Sequence, residues 1–194
     1  MAERDPDELV IAGSGDLYFA PYGTVLPDAD TDAVDAAING AFVKVGYVSE
    51  DGLTFGFNPT VEEFFAWQSR SPVRREMTAT EYTLSFVLEQ WNSDNILLAF
   101  GGGTAGANAS GDMLVEFLSQ TDQLDEVSVI CDWQDGTKQY RLVVTRATIN
   151  DAVEVQLQRN ELGMFPVSLK TLDPGESARE MFLLTDDPAF MAAS

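Results

Sequence analysis

The side chains best suited to recognising a partner lie together in the stretch EFFAWQSRSPVRREM, residues 63–77. It combines three large aromatic residues with three of the chain's eleven basic residues: Phe64, Phe65, Trp67, Arg70, Arg74 and Arg75. Trp and Arg are enriched at the energetic centres of protein interfaces, and guanidinium groups form bidentate pairs with carboxylates. The segment could therefore belong to the core, pair with the chain's own carboxylates, or dock on a second copy of the chain.

The residue types needed for catalysis are scarce. The sequence has no histidine, which removes the commonest general base, the commonest metal ligand and every Ser–His or Cys–His pair. Its single cysteine, Cys131, lies in the strand-like run VSVICDW, where a buried, inert thiol is expected. We therefore expect no catalytic residue and no enzyme activity.

One glycine-rich stretch matches a cofactor motif by its letters alone. GGGTAGANASG contains Gly101-x-Gly103-x-x-Gly106, but a dinucleotide fingerprint requires a helix that opens directly after the glycines. ANASGD follows instead. We expect a flexible connector between two β units, and no bound cofactor.

One acidic stretch resembles the start of a calcium loop. Asp28, Asp30 and Asp32 have the spacing of the first three EF-hand ligands. However, Ala33 stands where that loop needs glycine, and Asn39 stands where it needs a bidentate Glu. A solvated acidic loop without a metal site is expected.

The overall charge excludes several kinds of partner. The 194 residues include 32 acidic and 11 basic side chains, for a formal net charge of -21. Such a surface repels the phosphates of nucleic acids and anionic membranes. The N-terminus, MAERDPDELV, lacks the basic-then-apolar pattern of a secretory signal, so synthesis in the cytoplasm is expected.

Alternating hydrophobicity predicts a mainly β fold, an antiparallel β-sandwich or partial barrel with one or two short helices. Strand-like patterns cover residues 16–24, 42–52 (ending in the turn signal SEDG), 53–59, 61–67, 78–91, 126–133, 138–149, 151–158 and 164–172. The clearest hairpin surrounds QDGT, and Asn92 or Ser93 can cap a short helix. We expect an N-terminal arm over residues 1–15 and a single β domain over 16–194 with an extended C-terminal tail.

Several of these segments, taken in order, resemble one protein family. VGYVSEDGLTF, EEFFAWQSRSPVRR and SFVLEQWN followed by LLAFGGG resemble the major tail tube proteins of long, non-contractile (siphophage) bacteriophage tails. The DWQDG hairpin, FPVSLKTL and DDPAF are similar to the same group, particularly in phages of actinobacteria. The resemblance covers about residues 10–190.

The resemblance implies a structural virion protein with the phage tail tube fold. Its copies would form hexameric rings that stack into a tube with an acidic lumen, and strands from six subunits would close one barrel around that lumen. DNA would pass through the tube without specific binding. The implied partners are further copies of the chain, a tape measure protein, and tail terminator and tail tip proteins, with no membrane and no cofactor. The protein would be made in the host bacterial cytoplasm and reside in the tail.

The resemblance also favours a subunit-contact role for the opening segment. Five residues become candidates for the subunit interface: Trp67, Gln68, Arg70, Arg74 and Arg75. Phe64 or Phe65 would anchor the segment to its own core, while the arginines meet carboxylates of a neighbour, since like charge otherwise opposes assembly.

Two strands are candidates for the wall of the bore. We expect its surface to carry more acidic than basic side chains, drawn from residues 78–91 and 137–149: Thr83, Ser85, Glu89, Lys138, Arg141 and Thr145. Like-charged walls would let DNA slide.

Two other functions compete with this interpretation. One is the inner tube of a contractile tail or of a secretion machine, which differs in needing a sheath partner. The other is a carbohydrate-binding β-sandwich module that uses Trp67, Trp91 and Trp133 as stacking platforms.

Overall fold

The structure, a computed structural model, describes residues 9–175 and 178–190. Within these residues the chain forms twelve β-strands and one α-helix. The elements are β1 (Ser14–Pro21), β2 (Val43–Lys44), β3 (Val48–Phe57), β4 (Thr60–Phe65), β5 (Pro72–Ala79), β6 (Tyr82–Leu88), α1 (Ser93–Ala99), β7 (Thr104–Ala107), β8 (Met113–Glu116), β9 (Val127–Asp135), β10 (Lys138–Ile149), β11 (Phe165–Thr171) and β12 (Met181–Thr185). Much of the predicted N-terminal arm, residues 1–8, and the last four residues of the predicted tail lie outside the described residues.

Eight strands form one antiparallel sheet in the order β2-β1-β9-β10-β11-β6-β3, with β12 beside β10. The twelve-residue strand β10 pairs with β9 along one edge. Its other edge carries β12 near the start and β11 at the end. Buried side chains of β1, β9 and β10 share one core with those of β6 and β11, so the sheet folds over on itself. The mainly β, antiparallel prediction is confirmed.

The strand β6 follows its predicted alternation. Leu84, Phe86 and Leu88 are buried, while Thr83 and Ser85 on the opposite face are partly exposed. Cross-strand neighbours on the buried face, such as Val167 opposite Phe86, extend the same core. The alternation of apolar and polar residues therefore identified the buried face correctly.

The helix and the hairpin predicted from the sequence are also confirmed. The side chain of Asn92 caps α1 by accepting a hydrogen bond from the backbone N–H of Asn95 at 2.7 Å. A two-residue loop joins β9 to β10, and its first residue, Gly136, has φ +62°, which suits a tight hairpin turn.

Three local predictions were wrong. The SEDG turn lies inside β3, where a bulge separates the pairs Val48–Leu88 and Leu53–Phe86. Residues 101–111 are not a flexible connector, because they include β7 and the turn to β8. Residues 151–158 form no strand. The next strand, β11, already has β10 on one edge and β6 on the other, so it offers no free edge.

Candidate subunit interface

The strands β4 and β5 form a two-stranded ribbon outside the main sheet. It continues the β3–β6 pair, whose last register pair is Phe57 opposite Tyr82. Beyond that pair, the backbone N–H of Asn58 donates to the carbonyl of Glu81 at 2.8 Å. Every residue of both ribbon strands is exposed. The ribbon therefore projects from the body of the subunit with no second layer covering either face.

The loop at the ribbon tip, residues 66–71, is held by short-range hydrogen bonds. The backbone N–H of Ser69 donates to the carbonyl of Ala66 at 3.0 Å, and the Ser69 hydroxyl donates to the carbonyl of Ser71 at 2.8 Å. Pro72 then opens β5, a position where the missing N–H costs no interior ladder bond. The tip is thus a defined turn that presents Trp67, Gln68 and Arg70.

Charges on the ribbon balance one another. Residues 60–79 contain three glutamates and three arginines, so the ribbon is neutral in a strongly acidic chain. Arg75 pairs across the strands with Glu63 at 3.1 Å, and Arg74 pairs along β5 with Glu76 at 3.1 Å. Arg70 forms no ion pair with any residue that the structure describes. Exposed pairs of this kind contribute about 0–1 kcal/mol, so they can exchange for others.

The ribbon also exposes apolar side chains, and here one prediction fails. Neither Phe64 nor Phe65 is anchored in the core, since they are 45% and 61% exposed, and Trp67 is 99% exposed. The reason is that the ribbon begins where the sheet and its core end. Three further apolar residues of the ribbon are exposed: Val61, Val73 and Met77. Together these six side chains form a cluster of exposed apolar residues on one element, and such clusters usually mark interaction sites.

The five candidate interface residues therefore lie on one projecting element. Trp67, Gln68 and Arg70 belong to the tip, and Arg74 and Arg75 to β5. Sequence reasoning overlooked Val61, Val73 and Met77, which contribute to the same patch. The sequence did contain a signal for these residues. The Thr60–Ala79 stretch lacks the alternation of apolar and polar residues that is typical of a half-buried hairpin, and this indicates that its apolar side chains are exposed.

A second surface of interest is the outward face of β3, β6 and β11. Thr54, Ser85 and Ser168 stand side by side there in register. A shallow cleft of about 330 Å³ crosses this face between Asp51 and Asp151. Two more carboxylates flank the strand β6, Glu81 and Glu89. The only basic side chain among the described residues of these three strands, Lys170, is paired with Glu81.

The predicted bore residues divide between two places. Thr83, Ser85 and Glu89 belong to this outward face, but Arg141 does not. The Arg141 side chain is buried on the other side of β10, where its Nε and Nη2 donate to the two carboxylate oxygens of Asp132 at 2.7 and 2.8 Å. Its Nη1 donates to the carbonyl of Ala36, within the segment that covers this side of the sheet.

The other two bore candidates on β10 are also engaged within the subunit. Lys138 pairs with Asp187 at 3.1 Å. The Thr145 hydroxyl donates to the carbonyl of Arg179. Arg141 is therefore buried within the subunit and adds no charge to an exposed surface, while the choice of strands that line a bore stays a prediction.

The remaining chemical motifs take structural roles. Cys131 is buried, and burial together with Asp132 and Asp16 raises the pKa of its thiol to about 12. In the acidic loop, Asp28 accepts from the backbone N–H of Asp30, and Asp30 pairs with Arg179 at 2.8 Å. Over residues 9–175 and 178–190, no group of three acidic, His or Cys residues is placed to hold a metal ion.

The three tryptophans do not share one surface. Trp67 is at the ribbon tip, whereas the Trp91 indole N–H donates to the carbonyl of Gly163 at 2.6 Å. Trp133 stacks on Tyr140 with ring centroids 5.3 Å apart.

The only α-helix of the described chain, the seven-residue α1, is far too short to cross a membrane.

The whole chain is similar to one known protein family. A family model described as "Phage tail tube protein" matches residues 1–193. No curated protein matches. Among solved structures, a chain in the virion of a native gene transfer agent (GTA) particle is 9% identical with a TM-score of 0.39, and the match covers 75% of this chain and 91% of that one.

Proposed function

Since the chain belongs to the phage tail tube protein family, it is a structural protein of the tail, and we propose that its copies form hexameric rings that stack into a tube for DNA ejection. The observation that carries the proposal is the fully exposed β4–β5 ribbon. In a monomer, Trp67 is 99% exposed and five other apolar side chains of the ribbon are exposed as well, so none of them contributes the stabilisation that burial would give. A subunit that buries this ribbon against another copy does gain from it.

Ring closure would use the free edge of the main sheet. In the described part of the chain, β3 pairs only with β6 and ends the sheet. An unpaired edge strand invites pairing with another chain. Pairing of β3 with an edge strand of a neighbouring subunit, repeated around six copies, would close a barrel and cover the free edge of β3.

The outward face of β3, β6 and β11 is the proposed wall of the bore. Its central residues carry small hydroxyl side chains, and the carboxylates beside it outnumber the single paired lysine. Such a wall gives DNA phosphates no cation to bind and repels them along the whole path. DNA would therefore slide without specific binding.

The proposed tube also needs other tail proteins at its ends and no catalytic activity. Tape measure, terminator and tip proteins would meet the ends of the tube, and the chain would be made in the host cytoplasm before it joins the tail. The protein would act without a catalytic step, because its task is to enclose a passage.

Electron microscopy tests the proposal directly. Concentrated protein, alone and with preassembled tail tip complex as a nucleus, should form six-fold rings and tubes of uniform bore. A density map should place Ser85 and Ser168 at the bore surface. Protein that stays monomeric in both preparations would contradict the proposal, and a bore lined by basic residues would contradict the assignment of its wall.

A further inference from the structure

The β4–β5 ribbon and the helix α1 lie at opposite ends of the strand β6. The ribbon joins β6 at Tyr82, and α1 follows the other end of the strand after Leu88. Seven residues of strand separate these ends, which is roughly 20 Å. The subunit therefore has two different ends along the direction of β6.

The end of the subunit near α1 carries its own exposed apolar surface. We call this surface the α1 end, and it comprises Phe100, Met113, Leu114, Phe117 and Leu124, which are 37–70% exposed. Its place in the fold is fixed by a chain of ring contacts. Phe117 packs on Phe100 at 4.8 Å, and Phe100 lies 6.5 Å from Phe165, which is paired with Leu88 at the end of β6.

The glycines before β7 hold this surface in place. A Cβ on Gly103 would lie 2.3 Å from the carbonyl oxygen of Glu116, and Gly103 has φ +124°. Only glycine allows the chain before β7 to approach the backbone of β8 so closely at this point. The α1 end is therefore a built surface rather than a loose connection.

Charge distinguishes the two ends sharply. Residues 89–126, the stretch that includes the apolar residues of the α1 end, contain seven carboxylates and no Lys or Arg. The ribbon carries three arginines, of which Arg70 at the tip has no ion-pair partner among the described residues. A neutral, aromatic ribbon with one unpaired arginine at its tip is complementary to an apolar, acidic surface.

We propose that the β4–β5 ribbon of one copy docks on the α1 end of a second copy, head to tail along the tube axis. Trp67 and Phe65 would be buried against Leu114 and Phe117, and Arg70 would pair with carboxylates of the second copy such as Glu116. The inference rests on the proposed function, because it names the surface that receives the ribbon. Contacts between unlike surfaces extend without limit, as stacking of rings requires.

Cross-linking between two variants that each carry one added cysteine tests the contact. Gln68→Cys places a thiol at the ribbon tip and Leu114→Cys places one on the α1 end, and Val25→Cys on an exposed loop is the matched control. The native Cys131 is buried, so a bismaleimide reagent should ignore it. Assembled tubes made from equal parts of the 68 and 114 variants should give about tenfold more heterodimer than the 68 and 25 mixture, since docking raises the effective concentration.

Charge reversal provides a second measurement that does not depend on cysteine chemistry. Arg70→Glu and Glu116→Arg should each reduce tube formation, and the double variant should restore it. Circular dichroism of each variant verifies that the fold is retained.

The possible outcomes separate the two hypotheses. Tubes in which the 68 and 25 pair cross-links as well as the 68 and 114 pair, or in which the double variant fails to recover, would overturn this contact and leave the proposed function standing. Absence of rings and tubes in the unmodified protein would overturn both.

Discussion

At the scale of single residues, the three arginines of the ribbon have different surroundings. Arg74 and Arg75 have glutamate partners on the same ribbon, whereas Arg70 sits in the tip loop beside the exposed Trp67. Three identical side chains within six residues of one another are therefore expected to contribute unequally to a contact. Sequence spacing grouped them correctly, but only their register in β5 shows which are already paired.

Trp67 should matter for assembly and not for folding. Because its side chain is 99% exposed, Trp67→Ala should change the free energy of unfolding of the monomer by less than about 0.5 kcal/mol. Loss of a central interface tryptophan should raise the critical concentration for tubes roughly 30-fold, or about 2 kcal/mol. Thermal unfolding and sedimentation measure the two effects.

Trp133→Ala is the matched comparison for this prediction. Trp133 stacks on Tyr140 and packs against the core, so its removal should lower the unfolding temperature instead. A Trp67→Ala variant that unfolds early and still assembles would contradict the assignment of Trp67 to the surface.

Asp187 should make the stability of the fold depend on pH in the acid range. Its carboxylate is buried and accepts from the Tyr140 hydroxyl at 2.5 Å and from the backbone N–H of Ala189, with Lys138 nearby. These partners, Tyr140 first, lower the pKa of Asp187 below its ordinary value of 3.8. The ionised carboxylate therefore stabilises the fold at pH values above 3.8, and this stabilisation is lost as the pH falls through the lower folded-state pKa.

The variant Asp187→Asn should reveal this contribution. Its unfolding temperature should lie below that of the unmodified chain at neutral pH, and the difference should shrink as both are titrated below pH 3.8. Asp151→Asn, at an exposed position, should show no such difference. An equal deficit for Asp187→Asn at every pH would show that the carboxylate charge plays no part.

At the scale of elements, the ribbon should be separable from the fold. The β3–β6 ladder ends at Phe57 and Tyr82, and the exposed ribbon adds nothing to the core. Replacing residues 61–78 with Asn-Gly, a favourable hairpin turn between Thr60 and Ala79, should leave the unfolding temperature unchanged and should lower the β signal in circular dichroism only by the share of the strand residues removed. Tube formation should be abolished. Normal tubes from this variant would contradict a stacking role for the ribbon.

The elements that could be predicted from the sequence are those whose burial is one-sided or whose turn chemistry is local. Strand β6 has a buried face and a partly exposed face, so its alternation was visible, and the capping Asn92 marked the start of α1. Local patterns are reliable where one face of one element meets the core.

The predictions that failed depended on long-range pairing. Val153 and Val155 alternate like a strand and do pack against the core, yet the next strand, β11, already has a partner on each edge. Phe64 and Phe65 have the composition of core residues, but their position beyond the last β3–β6 pair leaves them exposed. The candidate interface residues were chosen by residue type and stay a prediction, and their common position on one ribbon could be seen only from the three-dimensional arrangement of strands.

At the scale of the whole molecule, charge acts in two opposite ways. A net charge of -21 per chain opposes bringing copies together, while the proposed bore benefits from the same sign. In the proposed assembly the neutral ribbon reconciles the two requirements, because it would contact an acidic neighbour without adding to the repulsion.

Assembly should therefore become more favourable as salt rises from low ionic strength to the physiological range. Screening shortens the reach of the repulsion between chains to about 8 Å at 0.15 M, whereas buried apolar contacts of the ribbon are unaffected. Light scattering as a function of NaCl, repeated with KCl to exclude an ion-specific effect, measures this. Assembly that weakens steadily with salt would indicate that ion pairs dominate the contact.

The neutrality of the ribbon has a consequence in the terms of polymer chemistry. The proposed subunit is a monomer with two unlike functional ends, and removing residues 61–78 deletes three glutamates and three arginines, so one end is lost without any change in net charge. Such a chain would still present its α1 end, and the electrostatic repulsion between its copies would be the same as in the intact protein. Mixed in small proportion with the intact protein, it would act as a chain stopper whose mole fraction sets the average length of the tube.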